Sequence, residues 1–268
     1  MASSTDDSAR GEGVPERMPA RQAALVAALI GWVETTPWID WLELGGSLGR
    51  GGGDDRSDVD VGIGVTAEEH LADVDAALAG LGPLVALLHE REDEHSVHVI
   101  AVYEDGLQVS LVVMPAARRR GLPPQASGLV DKSGALAETL DAERWVPSAE
   151  RRREWAFLAW IGAGDALRHA ARGHGWRAVR SLAESRRLYF ALLAASRGVV
   201  YPQFGEVSLE NAGETIPSEV EATIAVSGET GAIGGAVAAL ARLLEPFIAE
   251  AGLEGLARAV PLREGGDA

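Results

Sequence analysis

Residues 58–65 read Asp58-Val59-Asp60-Val61-Gly62-Ile63-Gly64-Val65, an alternation of period two. A β-strand turns successive side chains to opposite faces. Val59, Val61, Ile63 and Val65 therefore share an apolar face, and Asp58 and Asp60 project together from the other. Their α-carbons stand roughly 6.5–7 Å apart along such a strand, a spacing from which both carboxylates reach divalent ions about 3.5–4 Å apart. Upstream, the apolar run from Ile39 to Leu44 predicts another strand, closed by the turn Gly45-Gly46-Ser47. A glycine-rich loop, residues 48–57, separates that turn from Asp58.

The two halves suit one ligand. Gly46 lets the backbone come close to a phosphate, and the amide and hydroxyl of Ser47 can donate to it. Mg²⁺ favours carboxylate, water and phosphate oxygens, so a carboxylate pair holds it chiefly when a nucleoside triphosphate completes the shell. The segment resembles the nucleotidyltransferase superfamily that includes DNA polymerase β, whose motif is Gly-Ser, roughly nine to thirteen residues, then Asp-apolar-Asp. Gly46, Ser47, Asp58 and Asp60 match it position by position. In length and plan the chain is most similar to the antibiotic nucleotidyltransferases that act on aminoglycosides or lincosamides. The resemblance implies that Gly46 and Ser47 bind the nucleotide and that Asp58 and Asp60 bind Mg²⁺ and are catalytic. The reaction it implies moves a nucleoside monophosphate from the triphosphate to a hydroxyl of a small molecule.

One position departs from the family. A later strand usually brings a third carboxylate, and the matching stretch Leu107-Gln108-Val109-Ser110-Leu111-Val112-Val113 offers Ser110 there. Serine is no general base near pH 7. Some family members draw a base from their helical domain, where Glu154, Asp165 and Glu184 are the candidates. The alternative is a nucleotide-binding regulatory or partner-binding protein that kept the aspartate pair and lost the chemistry.

Working outward, the 268 residues suffice for one large or two modest domains. Hydrophobic residues are 47% and charged residues 24%, a globular composition. The net charge of −16 disfavours nucleic acid as partner and favours a small cationic acceptor, such as an aminoglycoside-like antibiotic. The absence of cysteine excludes thiolate metal sites and cysteine nucleophiles. No apolar run approaches a membrane span, which predicts a cytoplasmic protein without membrane association. Lys132 is the sole lysine.

The fold class expected is α+β: a mixed β-sheet with helices of nucleotidyltransferase type, followed by an α-helical C-terminal domain that would cover the cleft. Residues 1–18 read as a disordered leader, 19–145 as the nucleotidyltransferase-like domain, 146–260 as the helical domain and 261–268 as a tail. A helix should run from Ala20 to near Pro37, and a second over 67–81, opened by a Thr66/Glu69 capping box. Strands are expected over 97–103 and 107–114, joined by the turn Asp105-Gly106. Residues 117–147 read as a connecting stretch. Helices follow over 150–172, 176–197 and 232–250, the last kinked or restarted at Pro246.

Other residues take plainer readings. His89, His95 and His98 lie in an acidic run that resembles a solvated hairpin approach, and the arginines at 118–120 and 151–153 resemble solvated faces. Glu184 can pair with Arg187 on one helix. Trp155, Trp160, Trp176 and Tyr189 suit packing, and Arg50 or Arg56 suits either a flexible loop or a triphosphate.

Overall fold

The computed structural model describes residues 18–67, 70–91, 93 and 95–262, with only the backbone described at Leu71. The leader over 1–17, Glu69 of the expected capping box and residues 263–268 lie outside the described residues. The chain divides in sequence between Asp141 and Ala142 into two units.

The first unit is a six-stranded mixed sheet with helices. Its elements are α1 (Ala20–Thr35), β1 (Ile39–Leu44), α2 (Gly46–Gly49), β2 (Val59–Val65), α3 (Leu71–Gly80), β3 (Leu84–Arg91), β4 (Val97–Tyr103), β5 (Gln108–Pro115) and β6 (Ser127–Asp131). The strand order is β3-β4-β5-β2-β1-β6. The β2–β5 pair is parallel and every other pair is antiparallel. The alternation of residues 59–65 is realised as written: Val59, Val61, Ile63 and Val65 are buried with Leu25, Leu29 and Val33 of α1 and Val74 and Leu78 of α3. One face of the sheet is thereby closed by helices, and the polar residues of the same strands take the other.

Small devices fix these elements. Lys132 donates to the carbonyls of Val33 and Thr36, both at 2.7 Å, which satisfies open acceptors at the C-terminal end of α1. At the β4–β5 turn the amide of Leu107 bonds the Asp105 side chain at 3.0 Å, and Gly106 takes φ +81°. Tyr103 donates its hydroxyl to the Leu78 carbonyl at 2.9 Å, and burial pushes its pKa up to about 12.

Two strands escape the sequence reading. β3 lies on one edge, pairs only with β4 and is mostly exposed, so its residues show no clean alternation. β6 lies inside the expected connecting stretch, is five residues long and half-buried on the other edge. The helix expected from 67 begins at Leu71, with His70 at its N-cap and no side-chain cap bond.

The second unit is helical: α4 (Ala149–Ala171), α5 (Gly175–Ser196), α6 (Glu206–Asn211), α7 (Thr230–Glu250) and α8 (Glu254–Ala259). α4 buries Ala156, Ala159, Ala163, Ala166 and Ala170, a small-residue stripe at helical spacing that seats it against α5 and α7. Helix α7 runs through Pro246 without restarting. It is the one described helix long and apolar enough to cross a membrane, yet Ile233, Val237, Leu240, Leu244 and Ile248 are buried in this helical core. Met18 and Leu262, which the sequence reading put in the leader and tail, are both buried, at 7% and 3% exposure. Trp160 and Tyr189 pack as expected, but Trp176 is 89% exposed.

Candidate functional site

The turn after β1 and the first residues of β2 are built against each other. The amide of Gly45 donates to the Asp60 carbonyl at 2.8 Å, and the amide of Gly49 donates back to the Gly45 carbonyl at 2.7 Å. Gly46 has φ +58°, and a β-carbon there would stand 1.8 Å from Asp60 Oδ2. Both facts demand glycine. The Asp60 carboxylate thus lies directly on the turn that carries Ser47.

The loop over 48–57 closes this arrangement like a clasp. Ser47 Oγ lies 3.0 Å from Ser57 Oγ, and Ser57 Oγ also accepts from the Asp54 amide at 2.9 Å. From α1, the fully buried Gln22 donates to the Ser57 carbonyl at 2.9 Å. Gln22 went unremarked in the sequence, although it is a polar residue on the buried face of an amphipathic helix. The loop is therefore anchored at both ends, with Arg50 near enough to Asp60 to act on its charge.

Strand register places the remaining groups. Asp60 pairs with Ser110 on the parallel neighbour β5, so Ser110 occupies the position that sequence parity assigned to it. Burial raises the pKa of Asp60, the charge of Asp58 raises it further, and a hydrogen bond from Ser110 with the charges of Arg50 and His98 opposes them. On β4, His98 Nε2 lies 2.8 Å from Ser110 Oγ, and its Nδ1 is 3.6 Å from Glu90 Oε2 on β3. His98 does not belong to a solvated approach: its side chain is 20% exposed and turned onto the aspartate face. A histidine at a polar position of the alternating run Val97-His98-Val99 was the signal available.

Beyond Asp60 the same face carries a buried ion pair. Glu43, in register with Gly62, meets Arg119 at 2.6 Å, with side chains 10% and 20% exposed. Burial raises the pKa of Glu43 and Arg119 lowers it. Arg119 also lies over the Trp41 ring at 5.8 Å, and Trp41 fits because Gly64 has no β-carbon to meet it. Arg118 pairs with Asp93 at 3.0 Å. Arg119 is thus a structural partner rather than part of a solvated face, whereas Arg118 stays exposed as expected.

The three base candidates of the helical unit are each held by an arginine one turn away on the same helix. Glu154 pairs with Arg151 at 2.8 Å, Glu184 with Arg187 at 3.2 Å, and Asp165 with Arg168. Glu154 and Glu184 are exposed and Asp165 is half-buried. Among the described residues no three His, Cys, Asp or Glu side chains converge as a metal site, so Asp58 and Asp60 would be the only such protein ligands of an ion there.

No family model and no curated protein matches the sequence. The solved structures similar to the chain include the following two. An aminoglycoside 6-adenyltransferase from Bacillus subtilis is 16% identical, with 91% of this chain and 98% of that one covered and a TM-score of 0.34. A nucleotidyltransferase-like protein from Exiguobacterium sibiricum is 13% identical, with 91% and 81% covered and a TM-score of 0.39. At these identities and TM-scores the likeness says nothing of activity.

Proposed function

We propose that the chain is a nucleotidyltransferase that moves a nucleoside monophosphate from a nucleoside triphosphate to a hydroxyl of a small, cationic molecule and releases pyrophosphate. One observation supports this above all: the Gly46–Ser47 turn and the Asp58/Asp60 pair form a single constellation, with the Asp60 carboxylate packed where a β-carbon of residue 46 would be.

In this reading the open amide of the turn and the Ser47 hydroxyl hold the triphosphate, and the carboxylates of Asp58 and Asp60 hold Mg²⁺. The donor set fits the ion. Two neighbouring carboxylates, one pushed toward protonation by burial and by the other's charge, gain from a divalent cation, and two protein ligands leave sites for phosphate and water oxygens. Bound there, Mg²⁺ would neutralise phosphate charge as the bond to the leaving group breaks. The chain's own part is to position the α-phosphate beside the acceptor. The charge of −16 favours a polycationic acceptor of aminoglycoside type.

The test is transfer of label from α-³²P-labelled nucleoside triphosphates to a panel of hydroxylated antibiotics. Labelled product with stoichiometric pyrophosphate supports the proposal. Nucleotide binding without transfer to any acceptor favours the second reading, a nucleotide-binding regulatory protein, whose motivating observation is Ser110 beside Asp60.

A further inference from the structure

Ser110 cannot act as a base alone, but it does not stand alone. A chain of groups runs across four strands of the open sheet face: Asp60 on β2, Ser110 on β5, His98 on β4 and Glu90 on β3. Its links are the register pairing of Asp60 with Ser110, 2.8 Å between Ser110 Oγ and His98 Nε2, and 3.6 Å between His98 Nδ1 and Glu90 Oε2. A carboxylate at 110 would extend about one bond beyond the serine oxygen, and the imidazole fills the neighbouring space. Hydroxyl hydrogens rotate to suit their surroundings, so the Ser110 proton can serve Asp60 or the lone pair of His98 Nε2.

We infer that His98 is the terminal proton acceptor of the transfer reaction, reached through the Ser110 hydroxyl; this rests on the nucleotidyltransferase reading above. As the acceptor oxygen bonds the α-phosphorus, its proton passes to Ser110 Oγ, and the serine's own proton passes to His98 Nε2. The bond from the α-phosphorus to the bridging oxygen breaks and pyrophosphate leaves with that electron pair. His98 ends as imidazolium, with the Glu90 carboxylate on its far nitrogen to stabilise the charge and the carboxylates of Asp60 and Asp58 beyond Ser110. Neutral imidazole has a proton affinity suited to this task near pH 7, which serine lacks.

The experiment compares the full chain with His98→Gln, Ser110→Ala and the double variant His98→Gln/Ser110→Asp. Each is titrated calorimetrically with the Mg²⁺ complexes of ATP, GTP, CTP and UTP, then assayed for pyrophosphate release with water, kanamycin, streptomycin and lincomycin as acceptors. Thermal unfolding confirms that each variant is folded. The inference expects His98→Gln to bind nucleotide within about threefold of the parent while release falls about 100-fold or more. Ser110→Ala should show a similar loss. The double variant, which puts a carboxylate at 110, should recover most of the rate, which a merely structural role for His98 would not produce. Release by His98→Gln at the parent rate overturns the inference and leaves the nucleotidyltransferase reading intact. A parent chain that binds nucleotide but releases no pyrophosphate with any acceptor overturns the inference and favours the nucleotide-binding regulatory reading instead. A parent chain that binds none of the four nucleotides removes the underlying reading and the inference with it.

Discussion

The Asp60 carboxylate fills the space that a side chain on Gly46 would need: a β-carbon there would meet Asp60 Oδ2 at 1.8 Å, and the backbone of Gly46 already holds φ +58°. Gly46→Ala therefore faces two separate penalties. The left-handed conformation alone costs an L-residue about 1–2 kcal/mol, and the carboxylate must leave its position as well. We expect a lower urea midpoint and a loss of Mg²⁺-dependent nucleotide affinity of at least about tenfold. Unchanged affinity would show that the position of Asp60 against the turn is irrelevant to binding.

The raised pKa of Asp60 predicts how stability changes with pH. Burial and the Asp58 charge favour the protonated carboxyl in the folded chain, so its contribution to stability is present below the unfolded value, about 3.9, and is lost as pH rises through the higher folded value. Asp60→Asn removes that loss. Its thermal midpoint at pH 7 should exceed the parent's. The difference should vanish below about pH 4. A variant less stable than the parent at pH 7 would contradict the account of a functional site kept at a cost in stability.

Arg119→Met leaves the Glu43 carboxylate buried without its 2.6 Å partner. Breaking such a pair costs about 3 kcal/mol or more. Arg119 is the group that lowers the Glu43 pKa against burial, so its removal raises that pKa further. The deficit should therefore be greatest at pH 8 and shrink as pH falls toward the ordinary glutamate value, about 4.3. The double variant Glu43→Leu/Arg119→Met should recover much of the loss, as chemical denaturation at the two pH values would reveal.

Gln22→Leu tests whether α1 holds the loop. The substitution strands the Ser57 carbonyl, which now accepts from Gln22 Nε2 at 2.9 Å, at a cost of about 1–3 kcal/mol. Hydrogen exchange should rise at the amides of Asp54, Arg56 and Ser57, all three of which donate to acceptors within this loop. Equal exchange in parent and variant would mean that the loop is held by its own hydrogen bonds alone.

β4 and β5 alternate buried with half-buried positions, so their period survives in the sequence. β2, buried on both faces, keeps its alternation because Asp60, Gly62 and Gly64 stand opposite its valines, and β1, also buried on both faces, reads as a continuous apolar run. β3 is solvated along most of its length and β6 is short and half-buried, so neither imposes a pattern. The turn and aspartates of the candidate site were readable because φ > 0, close backbone approach and paired charge restrict residue type at Gly46, Asp58 and Asp60. Gln22, Arg119 and His98 were not, because each acts across strands or helices distant in sequence. Their partners, Ser57, Glu43 and Ser110, emerge only from the register of the folded chain.

The most direct test of the central claim is calorimetric titration of the purified chain with ATP, GTP, CTP and UTP, each with and without Mg²⁺, beside the double variant Asp58→Asn/Asp60→Asn. The account predicts binding of at least one nucleotide that requires Mg²⁺ and disappears in the variant. Binding that is indifferent to Mg²⁺ or survives loss of both carboxylates, or no binding by the parent chain, would contradict it.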